Sequence, residues 1–86
     1  MMNVEARFSV WATYERKIEG DTDSEYETRC ESVVPETRAR AEAHAIDLVT
    51  RCHNATVVMY EQTVGPDRVV AWVEWTQDGA RVTLAN

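Results

Sequence analysis

The sequence predicts an α+β domain in which a five-stranded, mainly antiparallel sheet carries one helix on one face, with its elements in the order ββαβββ. Three observations predict this class: apolar and polar residues alternate with period two on both sides of residues 35–53, those residues place their apolar side chains on one helical arc, and short turn signals separate neighbouring strands. A chain of 86 residues forms one domain, 1–86, because it is too short for two independent cores.

The first hairpin is predicted within residues 4–34. From 4 to 18 the even positions are mainly apolar and the odd positions mainly polar, which is typical of a long strand. Residues 19–24 contain a glycine and several turn-favouring polar residues, and alternation resumes over 25–34. The second strand should therefore fold back antiparallel on the first.

A helix is predicted over residues 35–53. Pro35 suits the first turn of a helix, and Glu36 places a carboxylate where the helix dipole favours one. The predicted buried arc consists of Ala39, Ala41, Ala45, Ile46, Leu48, Val49 and Cys52. The predicted polar arc, with His44 as a solvated side chain, consists of Glu36, Arg40, His44, Asp47 and Arg51.

Three β-rich segments close the chain, at 55–64, 68–77 and 80–86, and Asp78-Gly79 is a strong hairpin signal between the last two. The strand order 2-1-3-4-5 is preferred, because a right-handed crossover through the helix brings strand 3 beside strand 1 and because strands 3 and 4 are the most apolar. The order 2-1-5-4-3 is the alternative.

The register between the third and fourth strands decides which side chains meet. Pairing Val64 with Val69 across a four-residue loop keeps apolar side chains together. The resulting predicted core is Val4, Phe8, Val10, Tyr14, Ile46, Leu48, Val49, Val58, Tyr60, Val69, Val73, Trp75, Val82 and Leu84.

The net charge of −6, from 15 acids and nine bases, argues against attraction of the whole surface to nucleic acid or anionic lipid and favours a basic protein partner. The chain shows no apolar run long enough to span a membrane, and its start does not have the pattern of a signal peptide. We therefore expect a cytoplasmic protein in which Cys30 and Cys52 are reduced thiols.

No motif specific to one chemistry is present. Cys52 and His53 are adjacent on the predicted helix, so they diverge by about 100° and form a poor catalytic pair. Cys30 with these two lacks the paired spacing of zinc ligands, and Asp21, Asp23 and Glu25 lack the remainder of a calcium loop. We expect no metal, no cofactor and no enzymatic activity.

Charge is concentrated in residues 19–31, which hold six acids and one arginine. One interpretation is a solvated hairpin tip that keeps the protein soluble and protects a sheet edge. The other is an acidic prong that fits a basic groove, with carboxylates imitating a phosphate backbone. The candidate contact residues are Asp21, Asp23, Glu25, Glu27 and Glu31.

The sheet face opposite the helix is the second candidate surface. Its predicted apolar members are Trp11, Val33, Val57, Met59, Val70 and Trp72, and its polar members are Glu61, Thr63, Glu74, Thr76, Arg81 and Thr83. In one interpretation, long polar side chains or strand curvature cover these residues within the monomer. In the other, a second copy or a partner covers them. Trp11, Met59 and Trp72 are the candidate contacts.

Together these features predict a protein-binding module. The most concrete version is an inhibitor or antagonist that docks on a larger, basic, nucleic-acid-handling protein, as small phage anti-defence proteins and immunity proteins do, without touching nucleic acid or membrane itself. The alternative is a homodimeric structural or accessory protein that buries its sheet face against itself. A third hypothesis is a small-ligand or catalytic site between helix and sheet.

Overall fold

The computed structural model describes residues 6–20 and 23–86. The elements are β1 (Phe8–Lys17), β2 (Ser24–Cys30), α1 (Arg38–Arg51), β3 (Ala55–Glu61), β4 (Arg68–Thr76) and β5 (Gly79–Leu84). The five strands form one sheet in the order β2-β1-β3-β4-β5, each neighbour antiparallel, and α1 packs on one face. The predicted fold class and the preferred strand order are confirmed. None of the helical structure in the described part of the chain is long and apolar enough to cross a membrane.

β1 is the strand around which the first half of the protein is built. Its alternation buries Phe8, Val10 and Ala12 beneath α1, and it pairs with β2 on one side and β3 on the other. Val4, predicted for the core, lies outside the described residues. β2 ends at Cys30 rather than continuing to residue 34, and the valines at 33 and 34 are exposed on a bend.

The helix begins at Arg38, three residues later than predicted. Glu36 is held in an extended conformation because its backbone exchanges hydrogen bonds of 2.8 and 2.9 Å with Phe8. Thr37 is the N-cap, and its hydroxyl accepts a hydrogen bond from the backbone N–H of Arg40. At the other end Cys52 is the C-cap, so the helix is shorter than 35–53 at both ends.

The register of β3 and β4 differs from the predicted one. Tyr60 pairs with Val69, so the connecting loop spans residues 62–67, and a bulge shifts the register between Met59 and Tyr60. The predicted pairing of Val64 with Val69 is therefore wrong. The predicted register would place Val58 opposite Trp75, whereas Val58 lies opposite Trp72, a shift of three residues. Because this shift is odd, residues 56–59 have their side chains on the face opposite to the predicted one, and Val57 and Met59 lie in the core.

The core lies between α1 and the sheet. It consists of Phe8, Val10, Ala12, Ala41, Ala45, Leu48, Val49, Ala55, Val57, Met59, Val70, Ala71 and Val73. Tyr14, Ile46, Cys52, Trp75 and Val82 pack at its margin. Four residues predicted for the core lie outside it: Val58, Tyr60, Val69 and Leu84.

Candidate functional site

The β1–β2 hairpin extends beyond the rest of the sheet. Tyr14 is the last residue of β1 that pairs with β3, and the Asn54 side chain closes this end by donating to the backbone carbonyl of Glu15 at 2.7 Å. From Arg16 onward β1 pairs only with β2. We call residues 16–20 and 23–27 the arm; the predicted contact residue Asp21 lies outside the described residues, as does residue 22.

The acids of β2 lie on the side of the sheet that carries α1. Glu27 lies directly opposite Tyr14, which packs against the core beneath α1, and Glu25 lies opposite Arg16 two residues further along β1. Directly opposite residues and residues two apart share a face of the sheet. In the described structure α1 contacts β1, β3, β4 and β5 but not β2. Glu25 and Glu27 are therefore exposed, as is Asp23 before them.

Glu31 has a different environment from the other predicted acids. Its carboxylate accepts a hydrogen bond of 3.0 Å from the hydroxyl of Tyr14 and lies 3.5 Å from Nε of Arg29. The Arg29 guanidinium lies 4.7 Å from the centre of the Tyr14 ring. Burial, and then the hydrogen bond to Glu31, raises the pKa of Tyr14 above its usual range. Glu31 thus holds the base of the arm against β1. Glu25 and Glu27 are exposed, and the Glu27 carboxylate lies 3.7 Å from Nε of the same Arg29.

A groove of about 370 Å³ lies beside the arm. Its lining includes Tyr14, Arg16, Glu25, Glu27, Arg29 and Asn54. Carboxylates two residues apart on a strand are separated by about 6.6 Å, roughly twice the axial spacing of about 3.4 Å between charges on one DNA strand. Arg29 follows Glu25 and Glu27 at the same two-residue spacing on β2, so the line of negative charges ends there. This surface can therefore bind only a few cationic side chains over a short length.

The sheet face opposite α1, which we call the open face, carries a row of side chains across all five strands. From β2 to β5 this aromatic row consists of Cys30, Trp11, Val58, Trp72 and Thr83. Trp11 and Trp72 are 39% and 42% exposed, and each lies directly opposite Val58. The prediction that both tryptophans occupy this face is confirmed.

For four other residues the prediction that they lie on the open face is wrong. Met59 has no exposed surface and lies in the core, as do Val57 and Val70, because the register of β3 is shifted and β4 has a bulge. Val33 lies on the bend after β2. The prediction of Met59 as a contact residue is therefore wrong, and the β3 side chain that lies between the two tryptophans is Val58.

A second row runs parallel to the aromatic row. This threonine row consists of Thr28, Thr13, Thr56, Glu74 and Arg81. On the other side of the aromatic row, Tyr60 lines a shallow pocket of about 220 Å³ with Trp11 and Asp67. The exposed acids of β2 and the tryptophans thus occupy opposite faces of the sheet, so one flat partner surface cannot cover both.

The histidines and cysteines have structural contacts. His44, predicted to be solvated, lies with its Nδ1 3.4 Å from a carboxylate oxygen of Glu36, and both side chains are largely buried. His53 stacks on Trp75 with ring centres 4.0 Å apart. Cys30 and Cys52 are free thiols. Across residues 6–20 and 23–86, no three His, Cys, Asp or Glu side chains are grouped to hold a metal ion.

Sequence reasoning missed Tyr14, Val58 and Tyr60 as surface residues. The signal for Tyr14 is its pairing with Glu27, which becomes visible only once the hairpin register is known. Comparisons with protein-family models, with curated proteins and with solved structures found no match to this chain. The arm and the open face are therefore the two candidate functional surfaces of the described residues.

Proposed function

We propose that this protein is a small acidic binding module that docks on a larger basic protein, and that it acts there as an inhibitor or antagonist. The main support for the proposal is the arm. Its two paired strands extend beyond the rest of the sheet, and one of them carries the exposed Glu25 and Glu27. These carboxylates lie on regular strand rather than on a loop, so less conformational entropy is lost when a partner binds. The contact would use Asp23, Glu25 and Glu27.

The charge distribution supports a basic partner. Residues 15–31 contain seven acids and three bases, and the whole chain has a net charge of −6. Such a field attracts a cationic surface and raises the association rate, an effect that salt screens with a Debye length of about 8 Å at physiological ionic strength. Proteins that handle nucleic acids present cationic grooves of this kind, and blocking one is how a small phage anti-defence or immunity protein would act.

The spacing of the carboxylates restricts what the arm can occupy. Since the exposed acids are fewer and wider apart than phosphates, the arm fits a short basic pocket better than a long nucleic-acid channel. The proposal requires no catalysis, no cofactor and no direct contact with nucleic acid or membrane. It places the protein in the cytoplasm, where Cys30 and Cys52 remain reduced.

A charge-matched capture experiment tests the proposal. The arm variant combines Asp23→Asn, Glu25→Gln and Glu27→Gln, and the control variant combines Glu42→Gln, Asp47→Asn and Asp78→Asn, which remove the same charge from the helix and a distant turn. Each chain is immobilised, exposed to a native lysate, and the retained proteins are quantified by mass spectrometry.

We expect at least one basic protein to be retained by the original chain and the control variant, to be lost from the arm variant, and to elute as salt is raised. If both variants lose the same proteins, net charge rather than the arm is responsible. If the arm variant retains everything that the original chain retains, the arm is a solubility device and the proposal is wrong.

A further inference from the structure

The open face has no role in docking through the arm, and its composition requires a separate explanation. We propose that the open faces of two copies of this chain pack together as a homodimer, with Trp11 of one copy against Trp72 of the other. This interface is independent of the arm, because the exposed acids of β2 lie on the other side of the sheet. Its occupant is a second copy of the chain.

The centre of the open face has few charges. Charged residues make up 28% of the chain, yet the aromatic row contains no charged side chain. The only charged side chains of the threonine row are those of Glu74 and Arg81. These two residues lie directly opposite each other on β4 and β5, so their charges offset one another. A neutral, aromatic centre is typical of protein interfaces and offers no attraction for the basic partner that the arm requires.

The aromatic row and the threonine row can each pack against the same row of a second copy. A two-fold axis parallel to β3 places β1 over β4 of the second copy and β2 over its β5. Trp11 then faces Trp72 twice, and Glu74 and Arg81 face Thr13 and Thr28 rather than like charges. Because β3 lies on the axis, Val58 and Thr56 are close to their own symmetry mates.

The size of the face is sufficient for a weak to moderate dimer. Five strands about 4.8 Å apart and about six residues long at 3.3 Å per residue give a face of roughly 500 Å² per copy, or about 1,000 Å² for the pair, which is the lower limit of specific interfaces. The arms continue β1 and β2 past the end of this face, and their Glu25 and Glu27 lie on the side of the sheet away from it. Since each copy carries a net charge of −6, salt screens the mutual repulsion and should strengthen dimerisation. The docking of the arm on a basic protein should weaken with salt, so the two interactions are distinguishable.

The first test measures oligomeric state by sedimentation velocity over a concentration series. The double variant Trp11→Thr with Trp72→Thr should be a folded monomer whose dimer dissociation constant is raised at least about thirtyfold, since aromatic hot spots contribute that much or more. The control Val33→Thr with Val64→Thr removes two exposed apolar side chains outside the face and should dimerise like the original chain. Circular dichroism establishes that each variant is folded.

The second test uses complementary charges and does not alter the tryptophans. Thr56 is exposed and lies near the proposed axis, so Thr56→Glu and Thr56→Lys should each be monomeric by repulsion from their symmetry mates. An equimolar mixture of the two should recover the dimer. A monomeric original chain at the highest concentration, or dimerisation of both single variants alone, would overturn the proposal. Capture of basic proteins through the arm should be the same for the tryptophan variant and the original chain, whichever way the dimer test falls.

Discussion

Val57 and Val58 are neighbours in β3 that lie on opposite faces, and substituting each by threonine tests the face assignment on which both surfaces depend. Val57 is fully buried in the core, whereas Val58 is partly exposed between two tryptophans of the open face. Threonine has nearly the shape of valine, so each substitution mainly replaces a methyl group by a hydroxyl group. The two variants therefore differ in what surrounds that hydroxyl.

The expected difference is large. A hydroxyl buried without a partner costs about 1–3 kcal/mol in proteins, and a domain of this size is stabilised by only about 4–13 kcal/mol in total. At about 4–8 °C per kcal/mol for such a domain, Val57→Thr should lower the melting temperature by roughly 4–24 °C. Val58→Thr should change it by less than about 4 °C, because partly exposed substitutions usually remain within about 0.5 kcal/mol.

Thermal melts followed by circular dichroism at low protein concentration measure both variants. If Val58→Thr were the more destabilising substitution, Val58 and Tyr60 would be core residues, and the open face as described would be wrong.

Four further changes test separate parts of the fold. Leu48→Ala, which truncates a residue of α1 that is 6% exposed, should cost about 2–5 kcal/mol, measured as a lower urea midpoint at unchanged slope. Thr37→Ala should cost about 1 kcal/mol, because the hydroxyl that caps the helix is lost, and an unchanged midpoint would mean that this cap is not formed. Gly79→Ala should cost about 1–3 kcal/mol, since the φ of 108° is strained for alanine although no atom lies within 4 Å of the added methyl group. The raised pKa of Tyr14 stabilises the fold fully below about pH 10 and is lost as pH rises through the folded-state pKa, so Tyr14→Phe should flatten the loss of unfolding free energy at alkaline pH; equal slopes would contradict this.

The alternation of β1 was long enough to specify its faces from the sequence, because one register keeps Phe8, Val10 and Ala12 together over ten residues. β3 lacked such a pattern. Its segment TVVMY has apolar residues at both even and odd positions, so the sequence does not show which of its two faces is buried. The length of the loop to β4 sets the register and therefore the buried face. That loop contains Pro66, whose carbonyl accepts a hydrogen bond from Thr63, and it is longer than a minimal hairpin turn. The bulge beside Met59 has no signal in a single sequence.

The candidate site was partly predictable for the same reasons. The period of β1 predicts the correct face for Trp11 and that of β4 the correct face for Trp72, whereas the pattern of β3 predicts the wrong face for Met59. The acids of residues 19–31 were evident as a charge cluster, but their division into the exposed Glu25 and Glu27 and the hydrogen-bonded Glu31 depends on Tyr14, which lies on another strand. Such cross-strand contacts depend on the register of the strands, and the register cannot be read from the composition of a segment.

Docking through the arm is tested most directly by the association rate of a captured basic protein with the original chain, the arm variant and the charge-matched control, measured from low to high salt. For the original chain and the control, the rate should be high at low salt and should fall steeply as the charges are screened. For the arm variant, the rate should be low at every salt concentration and nearly independent of it. An arm variant that associates with the rate and salt dependence of the control would show that Asp23, Glu25 and Glu27 do not guide the partner, and would contradict the proposed function.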